Sequence, residues 1–119
     1  MKTHIHERNG TRIAELTSDD LLVSSVEEGF DLMINICYSE IDKMILHEKN
    51  IVPEFFDLKT GIAGELLQKF SNYRMRLAIV GDFTAYPGKS IRDFMFESNK
   101  LGNINFVGSV EEALEKLPG

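Results

Sequence analysis

The order of hydrophobic and polar positions along the chain changes its period several times, and each change predicts an element. The segment THIHERNGTRIAEL alternates with a period of two on both sides of Asn9-Gly10. Both turn residues tolerate the positive φ that a two-residue turn requires. The pattern therefore predicts an antiparallel β-hairpin, with Ile5 before the turn and Ile13 and Leu16 after it.

The next segment, SSVEEGFDLMINICYSE, has the period of an α-helix. Ser24 and Glu27 form a capping-box pattern, in which each side chain satisfies a free backbone N–H at the start of the helix. An apolar face follows at helical spacing and consists of Val26, Phe30, Met33, Ile34 and Cys37. Because Cys37 lies on this face, we predict that it is a buried structural thiol and not a nucleophile.

Short apolar runs alternate with amphipathic stretches in the rest of the chain. The runs KMILHE, MRLAIVGD and INFVG predict strands. Pro53 in NIVPEFFDL predicts either the end of a strand or the start of a helical turn. The stretches TGIAGELLQKFSNYR, KSIRDFMFESNK and VEEALEKL predict helices, the last of them capped by Ser109 with Glu112.

The resulting order, β-β-α-β-α-β-α-β-α, predicts a single α/β domain over residues 1–119. Helices between successive strands indicate βαβ crossovers. We therefore expect a mixed, mostly parallel sheet of about five strands with four helices and an N-terminal hairpin. A chain of 119 residues buries enough surface to fold without a metal or a disulfide.

The composition and net charge of the chain exclude some classes of binding partner. The formal net charge of −6 repels phosphate backbones and anionic membranes, so we expect neither a nucleic-acid nor a membrane partner. No apolar run approaches the roughly 20 residues that span a bilayer, and the N-terminal residues lack the pattern of a secretory signal. The single cysteine suits a reducing compartment. These features predict a cytoplasmic protein.

Two segments resemble the anti-sigma-factor-antagonist fold, also called STAS or SpoIIAA-like. EFFDLKTGIAGELL is similar to that family's strand, Asp, hydroxyl residue, Gly and helix, and NINFVGSVEEALEKL is similar to its last strand and capped helix. FFDLKTGIAGELLQKF and RLAIVGDF also resemble a family of short bacterial domains of unknown function. The first resemblance implies a SpoIIAA-like order of strands and helices.

The resemblance to STAS domains also implies a bacterial regulatory module that binds a protein partner. In that family a partner kinase phosphorylates a Ser or Thr at the helix start. Asp57 and Gly61 match the family's Asp and Gly, and Thr60 is the only hydroxyl residue between them. We therefore predict a non-catalytic module that binds its partner through the helix-start surface of residues 57–61.

Thr60 and Gly61 also have a local interpretation. A hydroxyl followed by glycine at a helix start places free N–H groups where an anion can approach. The simpler interpretation is that Thr60 is the N-cap of the helix and that Gly61 relieves crowding. A homodimer is a further possibility for a small domain with a sheet edge.

A second hypothesis is a site for a small anion, such as a nucleotide or phosphate, near Asp57, Asp82, Lys89 and Ser90. Asp57 follows EFF and Asp82 follows RLAIVG, so both lie at one sheet edge if these segments are neighbouring parallel strands. There they would bind a cation or act as acid and base. The alternative is that each bonds its local backbone in a turn or cap.

The segment GDFTAYPGKS ends like a phosphate-binding P-loop, but Phe83 occupies the position of the first required Gly. What remains is an anion site formed by Lys89 and Ser90 at a helix start. Its alternative is a Pro-Gly turn that leads into a helix capped by Ser90.

The three histidines are candidate metal ligands. His4 and His6 are two residues apart and share one face of a strand, and His47 lies in the third predicted strand. Three imidazoles would form a zinc site if these strands were neighbours, whereas a terminal pair is more often exposed and solvated. The chain has no G-x-S-x-G elbow. We predict no catalytic residue, no cofactor and no metal.

Overall fold

Five strands and four helices make up the fold of residues 1–84, 86 and 88–118, which the computed structural model describes. The strands are β1 (Lys2–Arg8), β2 (Thr11–Thr17), β3 (Lys43–His47), β4 (Arg76–Val80) and β5 (Ile104–Val107). The helices are α1 (Val26–Tyr38), α2 (Ile62–Asn72), α3 (Lys89–Leu101) and α4 (Val110–Lys116). Short 3-10 turns at Glu48–Asn50, Pro53–Phe56 and Leu58–Thr60 lie between β3 and α2.

The strands form one sheet in the order β1-β2-β3-β4-β5. β1 pairs with β2 antiparallel, and all later neighbours pair parallel. The hairpin turn has positive φ at Asn9 (54°) and Gly10 (75°). The predicted α/β class, the mixed sheet and the N-terminal hairpin are therefore confirmed.

Helices cover both faces of the sheet, because the inner strands carry apolar residues on both sides. α1, α2 and α3 pack on one face, against strand residues such as Leu16, Leu46 and Ile79. α4 packs on the other face, against Ile13 and Ile45 among others. No helix in the described ranges combines the length and the hydrophobicity that crossing a bilayer requires.

The capping box at the start of α1 lies one residue later than predicted. Ser25, not Ser24, is the N-cap, and its Oγ accepts from the N–H of Glu28 at 3.1 Å. The Glu28 carboxylate in turn accepts from the N–H of Ser24 at 2.9 Å. The prediction was wrong because SSVEE contains the pattern in two registers, Ser24 with Glu27 and Ser25 with Glu28.

Cys37 packs against the core from the apolar face of α1, but it is half-buried and not buried as predicted. Burial and the nearby Asp42 carboxylate raise the pKa of its thiol. The thiolate, which is the reactive form, is therefore disfavoured.

Pro53 starts a helical turn and does not end a strand. The proline ring fixes φ and removes a backbone donor, which suits the first position of the 3-10 turn Pro53–Phe56. Phe55 and Phe56 are both buried in the same core, whereas consecutive residues of a strand point to opposite faces. EFF is therefore not a strand, and Asp57 does not lie at a strand end as expected.

Candidate functional site

A cavity of about 740 Å³ opens between the turns that precede α2 and the start of α3. We call it the recess. Its lining consists of Phe56, Asp57, Leu58, Lys59, Tyr86, Gly88, Lys89, Ser90 and Ile91. Its volume falls within the ~300–1,000 Å³ typical of ligand sites. Three of the predicted site residues, Asp57, Lys89 and Ser90, therefore line one cavity.

Asp57 and Thr60 shape the backbone beside the recess. The Asp57 carboxylate accepts from the N–H of Lys59 at 3.1 Å. The Thr60 hydroxyl lies within donating distance of the carbonyls of Glu54 (2.8 Å) and Asp57 (2.9 Å). The same hydroxyl accepts from the N–H of Ile62 at 3.3 Å. Both side chains thus serve as local caps, and both remain exposed.

The backbone conformation at position 61 favours glycine. It occupies the N-cap position of α2 with a φ of 77°, a region that side chains with a Cβ disfavour. A Cβ built at Gly61 would meet nothing within 4 Å. The interpretation that Gly61 relieves crowding is therefore wrong. The N-cap residue of α2 is Gly61 and not Thr60 as predicted, although the Thr60 hydroxyl still accepts from the N–H of Ile62.

Asp82 does not line the recess. It lies in a separate cavity of about 370 Å³ that Arg92 and Phe106 also line. Its carboxylate accepts from the N–H (3.1 Å) and the hydroxyl (2.6 Å) of Thr84, and these bonds lower its pKa. Asp57 and Asp82 therefore line different cavities, and each bonds its local backbone.

Lys89 and Ser90 open α3 at the rim of the recess. The N-cap is Gly88, which offers no side-chain acceptor, so Ser90 does not cap the helix as predicted. The Lys89 ammonium lies 3.9 Å from the Asp93 carboxylate, and both groups are mostly exposed, so this pair contributes little stability. The predicted Pro-Gly turn includes Pro87, which lies outside the described residues.

Tyr86 forms one wall of the recess and was not found from the sequence. Its ring packs against Phe56 at a centroid distance of 5.1 Å, and its hydroxyl donates to the Glu48 carboxylate. Burial and this carboxylate raise the pKa of Tyr86. Glu48 also accepts from the N–H of Asp82 at 3.2 Å. No short motif signals this arrangement, because its residues are far apart in the chain.

Gly81 leaves the space in which Glu48 reaches these partners. A Cβ at Gly81 would lie 2.6 Å from the Glu48 Cβ. We expect Gly81→Ala to displace Glu48 and to lower the free energy of unfolding in urea by about 1–3 kcal/mol. The control is Gly64→Ala, where the new Cβ meets nothing within 4 Å. Gly64 lies inside α2, so we expect Gly64→Ala to raise the free energy of unfolding by about 0.5–1 kcal/mol. Losses of equal size in both variants would show that Gly81 does not provide the space for Glu48.

A second polar cluster lies on the face of the sheet that α4 covers. Glu15 is buried, and its two carboxylate oxygens contact the Nε2 atoms of His6 (2.8 Å) and His47 (2.7 Å). Burial raises the pKa of Glu15, but the hydrogen bonds with the two imidazoles outweigh it, and the pKa is lowered overall. The expectation of an exposed, solvated histidine pair therefore holds for His4 but not for His6.

Sequence reasoning missed Glu15, although a signal was present. In TRIAELT it shares a face with Ile13, so it is a charged residue at an inward position of an alternating strand. β1 and β3 flank β2 and do not pair with each other, so the condition for a three-histidine site is not met. Within the described ranges no group of three or more His, Cys, Asp or Glu side chains is arranged to hold a metal ion.

Comparison with protein families identifies residues 8–117 with the profile described as "Domain of unknown function (DUF4180)". The match covers most of the chain, including the recess and Glu15, and leaves nearly all of β1 outside it. It agrees with the resemblance to domains of unknown function. No curated protein and no solved structure matches the chain significantly.

Proposed function

We propose a function for this chain, which belongs to the DUF4180 family of domains of unknown function. It is a non-catalytic regulatory module of the cytoplasm. It binds a protein partner through the recess and the adjoining residues 57–61. The observation that supports this proposal best is the recess itself, an open cavity of about 740 Å³ beside that surface. The resemblance of NINFVGSVEEALEKL to the last strand and capped helix of STAS domains, which act by binding proteins, supports it as well.

The apolar part of the recess suits a large side chain of a partner. Phe56 and Ile91 are only 5% and 7% exposed, so the core holds them rigidly and they form a fixed floor. Tyr86 adds a wall that is held by Glu48. Aromatic residues that fill such pockets contribute much of the binding energy of protein interfaces.

The charges at the rim indicate what surrounds that side chain. Lys59 and Lys89 line the recess, and both are exposed. The N-terminus of α3 adds a partial positive charge at the same rim. A partner segment with an aromatic or aliphatic anchor and a neighbouring acidic residue therefore fits best.

Thr60 provides a means of regulation at this surface. It is exposed, and its hydroxyl donor bonds the carbonyls of the preceding turn. Phosphorylation would remove that donor and add a charge of about −2 beside Asp57. We therefore expect a phosphate at Thr60 to weaken the binding of an acidic partner segment.

Affinity capture from the native host with a recess-filling variant tests the proposal. Ser90→Trp places an indole at the rim, whereas Glu97→Trp places the same group on an exposed position of α3 that does not line the recess. We expect one protein to be captured by the wild type and by Glu97→Trp, and to be lost by Ser90→Trp and Thr60→Glu. Circular dichroism should show the same fold for every variant. Equal capture by Ser90→Trp, or no capture at all, would refute the proposal.

The second candidate function is the binding of a small anion. It is favoured by the start of α3, where Gly88 provides no side-chain cap and Lys89 and Ser90 line the cavity. Calorimetry with inorganic phosphate and with ATP tests this function. Binding by the wild type that Lys89→Glu abolishes would support it, and no heat of binding with either compound would exclude both ligands.

A further inference from the structure

The outer edge of β1 is a surface that contributes no residue to the recess. β1 is the first strand in the sheet order and pairs with β2 along its whole length. No strand in the described ranges pairs with its other edge. Six of its seven residues are exposed, and His6 is half-buried. The sheet therefore offers a strand of seven residues to which another strand can be added.

The hairpin geometry determines which backbone groups point outward. A two-residue turn is closed by a hydrogen-bonded pair, which is here Arg8 with Thr11. Hydrogen-bonded pairs alternate along an antiparallel ladder, so the even-numbered residues of β1 bond to β2. Thr3, Ile5 and Glu7 consequently direct their N–H and C=O groups away from β2. The free edge thus presents three donors and three acceptors.

Several of the features that normally block a sheet edge are missing from β1. Edge strands are commonly short, contain proline, or are interrupted by a bulge. β1 has seven residues without proline, and its register with β2 is unbroken from Lys2 to Arg8. Ile5 is 49% exposed at its centre. The charged side chains of β1 therefore determine which strands can pair with its free edge.

The even-numbered residues form a face with basic character, consisting of Lys2, His4, His6 and Arg8. Acidic groups lie near this face, and Lys2 lines one cavity with Asp19 and Asp20. Glu15 engages His6, and Glu111 lies 3.9 Å from the Arg8 guanidinium in an exposed contact. Lys2, His4 and Arg8 therefore remain accessible to a strand added at the edge.

This charge pattern disfavours a second copy of the chain at the edge. Two antiparallel strands related by a two-fold axis pair only residues of the same parity, because opposite residues lie on the same face. The register that aligns both strands over their full length has Ile5 at its centre and places Lys2 of each copy opposite Arg8 of the other. Like charges directly opposite each other are destabilising.

We propose that β1 receives an extended segment of a partner protein in which alternate residues are acidic. Backbone groups of that segment pair with those of Thr3, Ile5 and Glu7, as in other cases of strand addition. Its acidic side chains lie on the face of Lys2 and Arg8, and its other side chains lie beside Ile5. The surface is distinct from the recess and does not depend on the function proposed there.

Titration with defined peptides, followed by NMR, tests this inference. The probe is an end-capped seven-residue peptide of alternating glutamate and valine, and its control is the same peptide with lysine in place of glutamate. We expect the glutamate peptide to bind roughly tenfold more tightly than the lysine peptide. Amide hydrogen exchange should slow at Thr3, Ile5 and Glu7, and not at His4.

Variants of β1 separate strand addition from other modes of binding. Ile5→Pro removes an outward N–H that the pairing with β2 does not use, so we expect it to abolish binding while Ile5→Thr retains it. Because proline can also disturb the hairpin, a glutamate peptide N-methylated at alternate amides provides a second test in the wild-type chain. Lys2→Glu combined with Arg8→Glu should reverse the preference between the peptides. Equal binding of both peptides, no binding at millimolar peptide, or protection at other residues would overturn the inference.

Discussion

Phe56→Ala is expected to lower the free energy of unfolding by about 3–5 kcal/mol. Phe56 is 5% exposed and contacts Phe55 and Tyr86 at centroid distances of 4.9 and 5.1 Å. Its removal leaves a cavity in the core and also takes away the floor of the recess. Urea denaturation measures the loss of stability, which should appear as a lower midpoint with an unchanged slope.

The control for this prediction is another phenylalanine of the same chain. Phe96 lies on α3 and is 66% exposed, so Phe96→Ala should change the free energy of unfolding by less than about 0.5 kcal/mol. Similar losses of stability for both variants would mean that Phe56 is not packed against Phe55 and Tyr86 as described. Phe56→Ala should also reduce partner capture under conditions in which the variant remains folded.

Glu15→Gln is expected to destabilise the chain at neutral pH by about 1–3 kcal/mol. The carboxylate accepts from both His6 and His47, whereas an amide offers one acceptor and turns a donor toward the other imidazole. One of the two histidines therefore loses its acceptor. Denaturation of wild type and variant in urea at pH 7 measures the difference.

The effect of Glu15→Gln should depend on pH. The hydrogen bonds lower the pKa of Glu15 from its ordinary value of 4.5, so the folded chain holds the ionised form more strongly than the unfolded chain does. This contribution is present above about pH 4.5 and is lost as the pH falls through the lower pKa of the folded state. The stability difference between wild type and variant should therefore shrink in acid.

Glu7→Gln provides the control for that titration, because Glu7 is exposed on the neighbouring strand. Its stability should follow that of the wild type from neutral to acid pH. A difference between Glu15→Gln and wild type that stays constant over this range would show that the Glu15 carboxylate does not act as the ionised acceptor of the two histidines.

Much of the fold follows from local patterns. Asn9-Gly10 determines the hairpin turn, and Ser109 determines the start of α4 by accepting from the N–H of Glu112 at 3.1 Å. Both signals depend on residues that are adjacent or one helical turn apart, so they act in the same way in any tertiary context. The errors at Ser24 and at the segment EFF arose where one sequence fits two local structures. The caps predicted at Thr60 and Ser90 were also wrong, because Gly61 and Gly88 occupy the N-cap positions.

Local sequence patterns predicted less of the candidate sites than of the fold. Asp57, Lys89 and Ser90 were predicted, and they line one cavity, but Tyr86 and Phe56 complete that cavity without any local signal. Asp82 was grouped with Asp57 on the assumption that EFF is a strand. Glu15 lies 9 residues from His6 and 32 from His47, so only strand pairing brings the three side chains together.

The sequence by itself thus determined the order of the elements, the hairpin, the apolar faces and the Ser109 cap of α4, because these depend on the periodicity and chemistry of neighbouring residues. Only the tertiary structure decided that Glu15 joins His6 and His47 and that Asp57 and Asp82 line different cavities. It also decided that no strand among the described residues pairs with the outer edge of β1. The physical reason is that such contacts depend on strand order and on the packing of distant segments, to which each residue contributes only a small part of the energy.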